Sequence, residues 1–318
     1  MVFQNIVVID TGIEIAYVDS GAPSTQSSYI TIIAIHGMCF TAPVFKRVQV
    51  MASRRVVRIV ALNRRKYPGS TPFTAEELAV KDAWLADRGH EIATFTDIFS
   101  RENSLPRISD GGEMGGIILL GWSVGVGEAN AAIAYAESLP DAVRTGFTSQ
   151  IRALGAPIML GLPMPEKNWA PFMVESIPAE LCLPAFGQWV TSYFDHGDLS
   201  THALDVLSYV LPSTSHHGTI YSMTKAEQAD IIFDRKEVVV EGMYMFSFGT
   251  QLNFAYQRAF FDQATDKLFP GLKRSHLAGD QTASWRIAGL WVVEKEAQNR
   301  GRKDIKCILS KGYNHFMH

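Results

Sequence analysis

Short runs of β-branched and apolar residues alternate along this chain with longer stretches in which apolar residues recur at helical spacing. The run ITIIAI at 30–35 and the run IILLG at 117–121 are almost continuously apolar, as strands buried on both faces are. The stretch EANAAIAYAESL at 128–139 instead places apolar residues on one face of a helix. Strands that alternate with helices in this way predict an α/β fold, with a mostly parallel central sheet covered by helices on both faces.

The same alternation continues on either side of these elements. The runs NIVVID at 5–10 and IEIAYVDSG at 13–21 surround Thr11-Gly12 and predict a hairpin. Further strands are predicted at 54–63, 149–157, 271–280 and 304–312, and further helices at 74–99 and 282–301.

The alternation is interrupted between residues 158 and 255. The first part of this segment is rich in Pro, Met, Trp and Phe, and the second part is polar. We therefore expect an inserted helical cap, or lid, at 158–255 on a core formed by residues 1–157 and 256–318.

Composition argues against several classes of protein. The chain has 318 residues, of which 47% are hydrophobic, and its net charge of -3 favours neither nucleic acid nor an anionic membrane as a partner. Cys39, Cys182 and Cys307 form no CxxC pair and no metal-binding spacing. No apolar run reaches the roughly 20 residues of a membrane span, and no signal peptide is recognised, so we expect a soluble, cytoplasmic protein. Dinucleotide-binding and phosphate-binding glycine motifs are missing, so no cofactor is expected.

The pentapeptide GWSVG at 121–125 lies where a predicted strand gives way to a predicted helix. Such a turn is too tight for side chains beside the serine, and glycines at both ends let the Ser123 hydroxyl project at the carboxyl end of the sheet. A turn without chemistry is the alternative interpretation. A serine hydroxyl is a weak nucleophile until a histidine accepts its proton. Of the nine histidines, His315 is the best placed, because it follows the last predicted strand in a loop that begins with glycine.

At these positions the chain resembles the α/β-hydrolase superfamily, and the resemblance covers most of its length. The pentapeptide matches the G-x-S-x-G nucleophile elbow, and IHGM at 35–38 looks like the family's His-Gly oxyanion loop. NRRKYPGS at 63–70 corresponds to the D-x-R-G-x-G-x-S turn of many relatives, but it keeps only the arginine and the serine. GYNHF at 312–316 follows the last strand, where the family's catalytic histidine lies. The resemblance implies the α/β-hydrolase fold.

The resemblance also implies a catalytic triad in the chain order serine, acid, histidine, with Ser123 as nucleophile and His315 as base. Asp280 lies between them, ahead of a predicted helix, and is the expected acid, although a helix N-cap would be its purely structural role. The backbone N–H groups of Met38 and Val124 are expected to form the oxyanion hole. Other acids that remain candidates are Asp262, Asp266, Asp304 and, in the cap, Glu175.

A serine at the elbow favours acyl transfer over epoxide hydrolase or dehalogenase chemistry, because those relatives carry an aspartate there. The apolar cap favours a small apolar ligand. We therefore expect a serine hydrolase that cleaves a small apolar ester or lactone through an acyl-enzyme. An acyltransferase or lyase with the same triad, and a non-catalytic ligand-binding receptor, are the alternatives. The residues expected to contact the substrate are His36, Gly37, Trp122, Trp169, Phe172 and Trp189.

Overall fold

One eight-stranded sheet organises the residues that the structure, a computed structural model, describes. These residues are 5–9, 12–24, 26–52, 54–79, 81–155, 161–233 and 247–317. Each predicted strand forms in this sheet. The strands are β1 (Asn5–Ile9), β2 (Ile13–Asp19), β3 (Ile30–Ile35), β4 (Val57–Leu62), β5 (Ile117–Gly121), β6 (Ile151–Gly155), β7 (Lys273–Gly279) and β8 (Ile305–Ser310).

The strands follow the spatial order β1-β2-β4-β3-β5-β6-β7-β8. β1 and β2 pair antiparallel, as the predicted hairpin requires, and β2 also pairs antiparallel with β4. Every pair from β4 to β8 is parallel. The prediction of a mostly parallel sheet is confirmed, and the carboxyl ends of the parallel strands meet at one edge.

Apolar clusters lie on both faces of the sheet. Ile33 and Ile35 of β3 share one cluster with Phe95, whereas Ala34 between them shares a second cluster with Ala52. Within the described ranges, no helix combines the length and the apolar character that a membrane span requires. The helices are α1 (Lys46–Ala52), α2 (Ala75–Ala79), α3 (Lys81–Glu102), α4 (Gly125–Ala134), α5 (Asp141–Thr148), α6 (Ala179–Val190), α7 (Lys225–Ile231), α8 (Gly249–Phe261), α9 (Gln263–Leu268) and α10 (Ser284–Asn299).

Residues 161–233 are the described part of the segment that we expect to form a cap, and the expected start of that segment at 158 lies outside the described residues. This part contains α6 and α7, joined by loops and short 3-10 turns. Phe186 and Trp189 of α6 belong to the same apolar cluster as Trp122 at the end of β5. The cap therefore packs directly on the carboxyl edge of the sheet.

Helix α8 crosses the expected boundary between cap and core at residue 255. Leu252, before the boundary, packs with Leu85 of α3 and Ala131 of α4. Tyr256, after the boundary, lies in the large apolar cluster beneath the sheet. Both halves of this helix therefore pack with the core.

Helices α3 and α4 cross closely at Gly89. A Cβ atom there would lie 2.5 Å from the carbonyl carbon of Ala131. We predict that Gly89→Ala lowers the free energy of unfolding by about 1–3 kcal/mol, because the helices must move apart. Gly289→Ala in α10 is the matched control, since a Cβ there meets nothing within 4 Å. The control should be neutral or stabilising by up to about 1 kcal/mol. Urea unfolding measures both, and equal stabilities would contradict the close crossing.

Candidate active site

Ser123 lies on a strained turn between β5 and α4. Its backbone φ of 56° falls in the left-handed region, which costs free energy for a residue with a side chain. A Cβ atom on Gly121 would lie 2.5 Å from Cα of Val126, and a Cβ atom on Gly125 would collide with the carbonyl oxygen of Ile35. The prediction that both glycines relieve crowding in this turn is confirmed.

The loop after β3 runs directly against this turn. A Cβ atom on Gly37 would lie 2.8 Å from Cβ of Ser123, so this loop approaches the serine side chain as closely as glycine allows. Met38 and Val124 border the same cavity as Ser123. Their backbone N–H groups donate to no other group among the described residues. Two such donors beside a serine are suited to hold an oxyanion.

His36 fixes this loop from inside the protein. The backbone N–H of Arg64 donates to Nε2 of His36 at 3.0 Å, so Nδ1 carries the proton and donates to the carbonyl oxygen of Gly37 at 2.8 Å. Burial, and then the charge of Arg64, hold the pKa of His36 well below its usual 6.5. Because both nitrogens are engaged within the protein, the expected contact between His36 and substrate does not match this geometry.

Arg64 and Tyr67 hold the same loop from the turn after β4. Nη2 of Arg64 donates to the carbonyl oxygen of Gly37 and to the Tyr67 hydroxyl, each at 3.2 Å. The hydroxyl also accepts the backbone N–H of Cys39 at 3.1 Å. The carboxylate of Glu128, in the first turn of α4, pairs with Arg64 at 3.3 Å. The loop after β3, which is expected to hold an oxyanion, is thus fixed on both sides of the Met38 N–H group. The altered 63–70 motif gave no signal for this role of Tyr67.

His315 lies beside the elbow, in the loop after β8. The indole N–H of Trp122 donates to the carbonyl oxygen of His315 at 3.0 Å, and their ring centroids are 5.3 Å apart. The ring of Trp285 packs edge-on against the imidazole at 5.4 Å. Burial, and then the charge of Arg286, hold the pKa of His315 well below 6.5. The imidazole is therefore neutral at neutral pH, the state in which it can accept a proton.

Asp280 follows β7, but its carboxylate is not hydrogen-bonded to His315. Oδ1 accepts the backbone N–H of Gly312 at 2.7 Å, whereas Nδ1 of His315 is buried without a partner among the described residues. The expected hydrogen bond between Asp280 and the imidazole is not formed in this structure, in which the carboxylate fixes the start of the His315 loop. Of the other candidate acids, Asp262 caps α9, Asp266 and Asp304 pair with Arg274, and Glu175 is exposed.

Two solved structures are similar in fold to this protein over nearly its whole chain. An epoxide hydrolase mutant from Solanum tuberosum has a TM-score of 0.53 at 13% identity, covering 98% of this chain and 92% of that chain. A thioesterase domain from the curacin biosynthetic pathway has a TM-score of 0.50 at 15% identity, covering 99% and 94%. The chain has the α/β-hydrolase fold. Neither a protein-family model nor a curated protein matches the sequence.

In this α/β-hydrolase fold, residues of the segment 161–233 and of the core together line an apolar cavity beside Ser123. The cavity has a volume of about 20 Å³, which is room for about one water molecule. Phe172 borders it, as expected. Trp169 and Trp189 do not, because they pack on each other with ring centroids 5.5 Å apart. Trp285 also borders the cavity, although the sequence analysis did not select it. In the sequence it has the spacing of any apolar residue in a helix, so nothing there distinguishes it from a core residue.

We predict that Tyr67→Phe slows the reaction of Ser123 with a fluorophosphonate probe by about tenfold, because the oxyanion loop loses one of its anchors. Tyr209→Phe in the cap is the matched control. It likewise removes a tyrosine hydroxyl that is hydrogen-bonded to the backbone, here to the carbonyl oxygen of Leu204, in a different apolar cluster from Met38. The rate of covalent labelling measures both variants, and equal rates would show that the Tyr67 hydroxyl has no positioning role.

Proposed function

We propose that this chain is a serine hydrolase that cleaves a small apolar ester or lactone through an acyl-enzyme on Ser123. The observation that carries the proposal is the placement of the strained serine beside two free N–H groups and a loop with a neutral imidazole. The fold alone does not choose the bond, because an epoxide hydrolase and a thioesterase domain share it. A serine at the elbow, where epoxide hydrolases of this superfamily carry an aspartate, favours acyl chemistry.

In the proposed first step, Oγ of Ser123 attacks the carbonyl carbon while Nε2 of His315 accepts the hydroxyl proton. The carbonyl oxygen becomes an oxyanion and accepts hydrogen bonds from the N–H groups of Met38 and Val124. The imidazolium then donates its proton to the leaving oxygen, and the C–O bond of the ester breaks. This step leaves the acyl group on the serine.

In the second step, water is the nucleophile. His315 accepts a proton from the water as its oxygen attacks the acyl carbon, and the same two N–H groups hold the second oxyanion. The bond to Oγ then breaks, and the imidazolium returns the proton to Ser123. The carboxylic acid product leaves, and the protein is restored.

The cavity lining supports an apolar substrate. Met164, Phe172 and Phe186 of the cap, with Trp285 of the core, present thioether and aromatic surfaces to it. Among the described residues, no Asp, Glu, Lys or Arg borders it. Because about 20 Å³ cannot hold an ester, cap residues must move to admit the substrate.

A non-catalytic receptor for the same class of ligand is the second candidate. The observation that favours it is the buried Nδ1 of His315, which no described carboxylate contacts. Loss of the orienting carboxylate lowers kcat about 10⁴-fold in a Ser-His-Asp triad. A receptor would bind a lactone and release acid with far less than one turnover per minute, whereas a hydrolase would turn over repeatedly.

We predict that a fluorophosphonate probe labels Ser123, as mapped by peptide mass spectrometry, and that Ser123→Ala abolishes the label. His315→Ala should lower the labelling rate and the hydrolysis of short p-nitrophenyl esters by about 10³-fold or more, because no group then accepts the proton. Ser149→Ala is the matched control, since Ser149 is an exposed serine just before the amino end of β6. Full ester hydrolysis by Ser123→Ala would refute the proposed mechanism.

We predict that Asp280→Asn changes the labelling rate less than about threefold. The amide oxygen of Asn can still accept the N–H of Gly312, so the loop keeps its anchor. If Asp280 were the acid of the triad, the same variant would lose about 10⁴-fold. The labelling rate of Asp280→Asn at neutral pH therefore decides between a structural and a catalytic carboxylate.

A further inference from the structure

Buried polar atoms without partners are concentrated where β7, α10 and the His315 loop meet. Seven of the thirteen such side-chain atoms in the described residues lie here. The side chains that carry them are at most 1% exposed. Burial of polar groups without partners is costly, so a concentration of them indicates a missing partner. The seven atoms are both ring nitrogens of His276, Oγ1 of Thr282, Oγ of Ser284, Nε and Nη1 of Arg286, and Nδ1 of His315.

A hydrogen bond and a ring contact join these segments. The backbone N–H of Gln281 donates to the carbonyl oxygen of Tyr313 at 3.0 Å, and Trp285 packs against His315. Thr282 therefore lies in the chain between Gln281 and Trp285, the two residues that contact the His315 loop. Arg286 reaches back to β7, where Nη2 donates to the carbonyl oxygen of Leu277 at 2.6 Å. Leu277 is the residue that follows His276 in β7.

The electrostatic character of this region is positive. Burial lowers the pKa of Arg286 to about 9, so the guanidinium is still charged at neutral pH. Its charge also lowers the pKa values of His276 and His315, after the larger effect of burial. Within the described residues no carboxylate pairs with Arg286. The region also contains the amino end of α10, where the helix dipole is positive.

The partner that this region lacks is an acceptor with negative charge. Arg286 has only donors, both hydroxyls can donate, and Nδ1 of His315 must donate when Nε2 faces the serine. Water would satisfy some of these donors but would leave the buried guanidinium without a counter-charge, which is the more costly defect. Asp280, the nearest acid in sequence, is bonded to Gly312.

We propose that a small monovalent anion binds between the Arg286 guanidinium and Nδ1 of His315, in the position where a triad carboxylate would lie. It accepts a hydrogen bond from the Nδ1–H group, keeps Nε2 free for Ser123 and stabilises the imidazolium. Formate and chloride are the simplest anions of this class. The binding site stands without the proposed function, whereas the effect on reaction rate depends on it.

The first test is the melting temperature of the whole protein in sodium formate, in sodium chloride and in sodium gluconate of equal ionic strength. Gluconate is a much bulkier anion and controls for ionic strength. Formate or chloride should raise the melting temperature saturably, by about 3 °C or more relative to gluconate. Arg286→Met should lose this difference, because an apolar side chain of similar length leaves nothing for the anion to neutralise.

The second test replaces the bound anion by a carboxylate of the protein itself. Thr282→Asp should raise the fluorophosphonate labelling rate in gluconate about tenfold over wild type and make that rate independent of formate. Thr282→Asn is the matched neutral variant, and it should show no such gain in gluconate. In wild type, formate or chloride should raise the labelling rate by a similar factor.

The outcomes separate the two proposals. Identical melting and labelling curves in all three salts would overturn the anion site, whatever the variants do. A salt-specific melting shift that Arg286→Met removes, in a protein that the probe never labels, would support the anion site and refute the hydrolase. If Thr282→Asp does not fold, the comparison of wild type with Arg286→Met still decides whether the anion binds.

Discussion

The site depends on the contact of two backbones that leaves no room for a side chain. β3 and β5 are adjacent and parallel, so the loops that follow them leave the sheet at the same edge. A Cβ atom on Gly37 or Gly125 would overlap the neighbouring loop, and Ser123 accepts a left-handed backbone in order to fit between them. That approach brings the N–H groups of one loop to the serine of the other. The sheet order therefore fixes the position of Ser123, the proposed nucleophile, before any other side chain of the site is considered.

Polar groups then hold this contact in place, although burial makes them costly. The side chains of Arg64 and Glu128 are 2% and 8% exposed, and such pairs often stabilise a fold less than apolar residues of equal size would. Here the pair belongs to a set of hydrogen bonds that ends on Gly37 and, through Tyr67, on Cys39. These bonds fix the position of the Met38 N–H group. They contribute more to the position of the loop after β3 than to the stability of the fold.

The sequence was sufficient for features that are encoded locally. Apolar runs predicted the strands, and the spacing of Gly121 and Gly125 predicted the elbow, because in both cases the cause lies within a few residues. The partner of His315 was not predictable in this way. The Asp280 carboxylate accepts its hydrogen bond from Gly312 because the folded chain brings that residue close. The order of residues along the chain does not contain that information. For the same reason, Trp169 and Trp189 could not be distinguished from cavity residues such as Phe172, since all three share the composition of the cap.

The proton affinity of His315 connects the packing of the site to its function. Burial favours the neutral imidazole, so the base is ready to accept a proton, but the imidazolium that results would face Arg286 and no described carboxylate. The apolar surroundings that suit a small ligand therefore also raise the free energy of the charged intermediate. A receptor, a slow hydrolase and a hydrolase activated by an anion share the same fold and the same cavity. They differ in one electrostatic quantity, the stability of the protonated His315 when a ligand carbonyl lies beside Ser123.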